Sequence, residues 1–316
     1  MDPTVRRTDD GQAPGPTWLD SSPKLWYNSP KKPEQEAVAV SEIKLLALDL
    51  DGTLLNGEKQ ITPRTRAALD RARAQGVLLV PVTGRPAQGI PPVVRELPGL
   101  RYVVSSNGAT IRDLAEGKVL LEKHLSAALC LEVLDRCAQV PMIREVFRAG
   151  VGYLSREDYE ILRARYAGTS MLQYHLDTRQ VVPGTVADFL RADPRPVEEL
   201  FFLTGSTGEK AALRDLLSDI DGIGFADPFP NDLEVIAQGI DKGEALGFLL
   251  GHLGIPAAQV LAMGDGGSDL PLLQAAGIGV AMANATEGLK AVADYVTASC
   301  DEDGVAAAIE KFVLDP

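Results

Sequence analysis

The 316-residue chain has room for one large domain or two ordinary ones, and its apolar content supports a sizeable core. A net charge of −13 argues against nucleic acid or an anionic membrane surface as partner, yet leaves open a phosphorylated small molecule held at a locally basic site. Three cysteines are too few for a disulfide framework, and no apolar run approaches the ~20 residues of a membrane span.

Residues 1–40 hold Pro3, Pro14, Pro16, Pro23, Pro30 and Pro33 among charged and polar neighbours, with no apolar signal core. They are expected to form a disordered leader. The stretch "KLLALDLDGTLL" at 44–55 reads as a buried strand ended by Gly52. Asp49 and Asp51 are two apart in it, so they share one side while the strand lasts. Two carboxylates there repel unless a proton or a cation intervenes, and a hard cation such as Mg2+ is a natural partner. "ITPRTRAALDRARAQG" predicts a helix with Thr62 as N-cap, Pro63 in its first position and Gly76 as its stop. "VLLVPVTGR" predicts a second buried strand ending at Thr83, and "RYVVSSNGA" a third ending near Asn107.

From about Asp113 to Ile236 the series is interrupted. Helical "SAALCLEVLDRCAQ" and "EKAALRDLLSD" alternate with strand-like "VEELFFLTG" and "LEVIA", as in an α+β insertion large enough to be a domain. Cys130 and Cys137 sit seven apart on the first of these helices, about 10 Å along its axis. That exceeds the roughly 7 Å limit of a bridge and suits core residues of a reduced, cytoplasmic protein. "GSTGEK" at 205–210 reads as a turn before a helix, and His124, His175 and His252 lack metal-ligand spacing. Then "QVLAMGDGGSDLPLLQAAG" resumes the strand–loop–helix pattern, and "GIGVAMANA" and "DYVTA" give two more short strands. The alternation predicts an α/β fold, a parallel sheet with helices on its faces. Ligands of such sheets gather beyond the carboxyl ends of the strands, where Asp49, Thr83, Asn107, Asp265 and Asn284 all fall.

"DLDGTLL" at 49–55, "VTGR" at 82–85, "DKG" at 241–243 and "GDGGSDLPLL" at 264–273 resemble, in order, the four motifs of the haloacid dehalogenase-like hydrolases. The long insertion before the third motif, with "SSNGA" at 105–109, resembles the Cof-like, C2-capped sugar-phosphatase branch. The resemblance spans nearly everything from Lys44 to Val313. It implies a doubly wound, Rossmann-like core from 41–112 and 237–316, with an inserted cap at 113–236. It further implies a Mg2+-dependent phosphatase of small phosphorylated metabolites, sugar phosphates foremost, working through an aspartyl-phosphate. A cofactor phosphatase for FMN or pyridoxal phosphate and a low-turnover binding protein are the alternatives.

The resemblance makes Asp49 the nucleophile, Asp51 the general acid and base, and Thr83 and Lys242 the groups that compensate phosphoryl charge. Gly84, Arg85, Asn107, Gly108 and Ser268 join the phosphate- or substrate-binding set, and Asp49, Asp51, Asp265 and Asp269 the metal set. Taken singly, each has a structural alternative: an Asp as a loop cap or helix-start charge, Thr83 as a turn former, Lys242 as a solvated lysine. No structural need puts all of them at successive strand ends in this order. The fourth motif departs from the usual Gly-Asp-x-x-Asn-Asp, with Ser268 at the asparagine position, so a contact there is expected to lengthen. Arg144, Arg148 and Tyr153 are candidates for cap contacts with the leaving group.

Overall fold

The computed structural model describes residues 42–315. The expected leader lies outside the described residues. In chain order the strands are β1 Leu45–Leu48, β2 Leu78–Pro81, β3 Tyr102–Ser105, β4 Thr110–Asp113, β5 Lys118–Glu122, β6 Ile143–Arg148 and β7 Val151–Ser155. They continue with β8 Arg179–Val182, β9 Glu199–Leu203, β10 Ile223–Ala226, β11 Asp232–Ala237, β12 Val260–Gly264, β13 Ile278–Ala281 and β14 Tyr295–Val296.

The first sheet is parallel, in the order β14-β13-β12-β1-β2. Its interior strand β1, between β12 and β2, is buried along its whole length, which is why it reads as an unbroken apolar run. Helices flank it. In the helix Pro63–Ala74, Thr65, Ala68, Leu69 and Ala72 form the buried stripe, and the Thr62 hydroxyl accepts from Thr65 N at 3.2 Å to cap it, with Pro63 at the start as expected. This helix packs on the helix Gly304–Ile309, and the helix Lys242–Leu253 packs on Leu270–Ala275.

The third strand departs from expectation. β3 meets the parallel sheet through the isolated bridge Val82–Val104, outside any full ladder, and pairs antiparallel with β4. The cause is local: Ser106, Asn107 and Gly108 all have positive φ, so the chain turns back at once into a β3-β4-β5 sheet. β4 thus pairs with β3, and β5 with β4, and the six-stranded sheet of the inserted region begins only at Ile143.

That sheet has the order β10-β11-β9-β6-β7-β8, antiparallel except for β7 with β8. Its period of two separates two chemistries. Val146, Leu200, Phe202, Leu233 and Val235 join the main apolar core, together with residues of the helices Ala127–Arg136, Val186–Ala192 and Thr207–Leu217. The register places Glu145, Phe147, Glu199, Phe201, Asp232 and Glu234 on the opposite face. Cys130 and Cys137 are buried free thiols, and burial pushes Cys130 up to about 12. Among the described residues no helix is long and apolar enough to cross a membrane.

Candidate active site

The parallel register sets the site. Leu48 lies level with Met263 on one side and Pro81 on the other, so Asp49, Asp265 and Thr83 emerge at one end of the sheet. Asp49 N still bonds Met263 O at 3.0 Å, fixing the start of the loop. Gly52 then turns with φ 81°, and a Cβ there would lie 2.2 Å from Asp265 Oδ2. Only glycine lets this loop close on the second acid. Thr53 donates its hydroxyl to Asp265 Oδ1 at 3.2 Å, and Asn284 Nδ2 donates to Gly52 O at 2.8 Å.

Lys242 arrives from the first position of its helix, where the Asp241 side chain caps Glu244 N. Its Nζ donates to Asp49 Oδ1 at 2.7 Å and to Asp269 Oδ1 at 2.6 Å, with all three groups buried. Asp269 Oδ2 accepts from Asp265 N and Gly266 N. Burial alone would lower the Lys242 ammonium, but Asp269 and Asp49 outweigh it and hold it charged. Asp49 is pushed up by burial, then by Asp269 and Asp265, with Lys242 opposing. Asp265 is pushed up to about 7 by burial and by Asp269, against the Thr53 hydroxyl and Lys242. Three carboxylates thus share one ammonium.

Carboxylate oxygens of Asp49, Asp265 and Asp269 come within 4.8 Å of one another, a hard, oxygen-only donor set carrying more negative charge than its lysine balances. These residues fit a divalent cation such as Mg2+. The Asp51 side chain is not in that group. Arg85 grips it with Nε to Oδ2 at 2.6 Å and a second nitrogen to Oδ1 at 2.7 Å, and Lys59 Nζ adds a contact at 2.7 Å. Burial works to raise Asp51, and the hydrogen bonds and charges of Arg85 and Lys59 overcome it, holding the carboxyl well below the usual range.

Above this end lies a cavity of about 500 Å3. Asp49, Asp51, Thr83, Gly84, Arg85, Asn107, Lys242, Asp265, Ser268 and Asp269 all line it, so most of the residues expected from sequence meet there. Gly108 is not among them; it packs under the Lys242 helix, where a Cβ would lie 2.4 Å from Asp241 O. Arg85 lines the cavity with its guanidinium committed to Asp51 and Gly89 O. Asn107 Nδ2 donates to Glu199 Oε2 at 3.0 Å and Glu234 Oε2 at 2.7 Å, so its amide nitrogen is already taken.

The three cap candidates point elsewhere. Arg144 bonds the carbonyls of Met142, Cys137 and Val140, and Arg148 holds Asp193. Tyr153 stacks on Phe189, with centroids 4.7 Å apart. All three fall on the sheet face opposite Glu145 and Phe147, one residue out of phase with the cavity.

The far wall is instead built by groups that the sequence did not single out. Phe147, Phe201, Tyr166, Tyr174, His175 and Arg179 line it. Tyr174 lies between two guanidiniums, Arg85 at 4.0 Å and Arg179 at 5.0 Å from its centroid. Arg179 pairs with the buried Glu145 at 2.7 Å. His175 is buried against Tyr166 and Tyr174, and desolvation, then Arg179 and Arg85, push it down to about 3, so it is neutral. The loop after β10 closes the mouth. A Cβ on Gly267 would meet Asp227 O at 2.9 Å, and one on Gly266 would meet Pro228 O at 3.2 Å.

A doubly wound sheet with an aspartate pair leaving an interior strand, a lysine between two acids and a lidded cavity defines a phosphoryl-transfer hydrolase of the capped type. The chain belongs to the haloacid dehalogenase-like hydrolase family, whose pattern matches residues 46–309, on its Cof-like branch, and it is a phosphatase. It is 29% identical to phosphatase YwpJ of Bacillus subtilis over 284 residues, 84% of this chain and 98% of the relative. It is 30% identical to the 5-amino-6-(5-phospho-D-ribitylamino)uracil phosphatase YcsE of the same organism, covering 86% and 97%. Among solved structures it resembles a subclass IIB sugar phosphatase, with TM-score 0.73 and 26% identity over 85% of this chain and 98% of that one.

Proposed function

We propose that this phosphatase is Mg2+-dependent and hydrolyses small phosphomonoesters, sugar phosphates foremost, through an aspartyl-phosphate at Asp49. The observation that carries this is the placing of the Asp49 carboxylate: one oxygen held by Lys242, at the floor of a cavity lined by Thr83 and Gly84. Asp49 Oδ2 attacks phosphorus, an Asp–phosphorus bond forms and the ester oxygen leaves. Thr83, the Gly84 backbone and Lys242 face the phosphoryl oxygens and offset their charge. Asp51 passes a proton to the leaving oxygen and later takes one from the water that cleaves the aspartyl-phosphate. In the free site Arg85 and Lys59 hold it ionised, the form used by the second of these steps; for the first, Asp51 takes up a proton from solvent as the substrate dianion enters, and that proton goes to the leaving oxygen.

Asp49, Asp265 and the Asp51 carbonyl would hold Mg2+, with Asp269 orienting them, and the ion when bound supplies positive charge to the phosphoryl group. The inserted region, 113–236, acts as the cap that reads the leaving group. Three free cysteines suit a cytoplasmic setting.

A second reading, a phosphorylated flat heterocycle such as FMN or pyridoxal phosphate, is favoured by the aromatic wall and by the relative that acts on a ribitylaminouracil phosphate. Phosphate release over a panel of sugar phosphates, FMN and pyridoxal phosphate, with Mg2+ and with EDTA, separates the two. Sugar phosphates are expected to lead by at least about tenfold in kcat/KM, roughly 1.4 kcal/mol, and EDTA to abolish turnover. A lead for the heterocycles moves the substrate class, and Mg2+-independent turnover removes the metal.

A further inference from the structure

Behind the phosphate cradle two glutamates share one donor group. Glu234 on β11 and Glu199 on β9 are both buried, and both accept from Asn107 Nδ2. Glu234 also reaches the cradle itself. A Cβ on Gly84 would lie 3.3 Å from Glu234 Oε1 and 3.2 Å from Asn107 Oδ1. Two more acceptors stand here without a donor, Asn107 Oδ1 and Glu199 Oε1. Donors are therefore scarce and acceptors crowded, among side chains that are all buried.

We propose that Glu234 works as a neutral carboxylic acid, the positioning residue that ties the cap sheet to the phosphate cradle through Asn107 and keeps the Gly84 side of the cradle free of negative charge. The proposal rests on Thr83, Gly84 and Lys242 being the phosphate cradle. A carboxylate at Glu234 would face the incoming phosphoryl dianion and repel it, whereas the acid form adds the donor that the crowded acceptors lack.

The surroundings agree. Burial pushes Glu234 up to about 8; the Asn107 amide and Lys242 oppose this, and Asp232 and Asp227 of its own hairpin add to it. Glu199 is raised by burial, by Glu234 and by Glu198, against the Asn107 amide and Arg179 from β8. Lys242, the cation that faces Glu234, is already engaged by Asp49 and Asp269. Since the protonated form does the work, its contribution is present below about pH 8 and lost above it.

The test compares wild type, Glu234→Gln and Glu234→Ala in the Mg2+-loaded full chain, with p-nitrophenyl phosphate, between about pH 6 and 9.5. Wild type is expected to lose at least about tenfold in kcat/KM over the alkaline limb. The Gln variant keeps a neutral side chain of the same shape, so it should stay within about fivefold of wild type near pH 6.5 and lack that limb. The Ala variant should be at least about tenfold weaker throughout. A second readout needs no turnover: the infrared carbonyl band of protonated carboxylic acids near neutral pH, weaker in the Gln variant than in wild type by the share of one carboxyl. The proposal is overturned if the Gln profile falls as wild type does, if Gln is as impaired as Ala, or if the acid band is the same in both proteins. If Ala does not fold, the wild-type and Gln pair still decides. Failure of wild type to turn over any phosphomonoester sinks the proposed function instead, and the infrared band still reads Glu234.

Discussion

Two strands of this molecule carry a pair of acids two residues apart, and they use them in opposite ways. In the parallel core, Asp49 and Asp51 leave β1 at its carboxyl end, where Lys242 meets the first and Arg85 and Lys59 meet the second. In the antiparallel cap, Asp232 and Glu234 lie along β11 itself, with aromatic and aliphatic neighbours and no cation in hydrogen-bond contact with Glu234 among the bonds described. Burial pushes all of these carboxyls up, and what differs is the company. A strand end opens into loops and helix starts that can bring lysine and arginine into contact; on the sheet face Glu234 gets cross-strand neighbours and the Asn107 amide. Acid spacing alone therefore marks a shared face. The charge state, and with it the chemistry, is set by the elements that arrive from elsewhere in the chain.

The largest effect that sharpens this contrast comes from the core. Asp49→Asn keeps the shape and removes the charge and nucleophile, so turnover should fall by more than about 10^3-fold, roughly 4 kcal/mol or greater, while the thermal melt stays cooperative. Activity within several-fold of wild type would remove Asp49 from its role.

The next effect belongs to the cap and is one of stability. Glu145 and Arg179 form its buried ion pair. Glu145→Leu strands a guanidinium that cannot lose its proton and is expected to cost about 3–5 kcal/mol in chemical denaturation. Arg179→Met strands a carboxyl that burial already pushes up and that can take a proton, so it should cost less, and least at low pH. The sign follows from Glu145: its folded value lies above the unfolded one, so the contribution is full in acid and fades as pH rises through the folded value. Equal costs for the two variants would break the contrast between charges that must stay and charges that can leave.

The smallest effect is at Ser268, which lines the cavity where the family motif has asparagine. Ser268→Asn should leave kcat/KM within about threefold or raise it; a loss beyond about tenfold, roughly 1.4 kcal/mol, would show a site rebuilt around serine.

The core half of the site was legible because each of its residues follows an apolar strand, and parallel strands present their ends together. Asp49, Thr83 and Asp265 meet for that reason. Asn107 was placed at a strand end correctly, but its strand was not a full member of the parallel sheet, since three successive left-handed residues fold it back. The cap half was not legible for a different reason. Arg144, Arg148 and Tyr153 were picked by residue type, whereas their phase along β6 and β7 sends them to the far face. "DLEVIA" carried the usable signal, since acids at alternate positions of an apolar strand share a side; in "DLDGTLL" the strand has already ended at Leu48, so Asp49 and Asp51 part to different cations. Arg179 had no comparable mark, because its contact with Glu145 joins strands whose placement only the fold reveals, and Lys59 reaches Asp51 through a loop turn that no periodicity announces.

The loop after β10 rests its Asp227 and Pro228 carbonyls against Gly266 and Gly267 with less room than one methyl group needs. The fit resembles a door cut to its frame: wear on either edge shows in the other. A bulkier residue in the fourth motif would push this loop out by a few tenths of an ångström, and a longer loop after β10 would strike the glycines. The two short segments, about forty residues apart in the chain, thus fit only as a pair, and a loop grafted in from elsewhere would seat only with a threshold shaped to it.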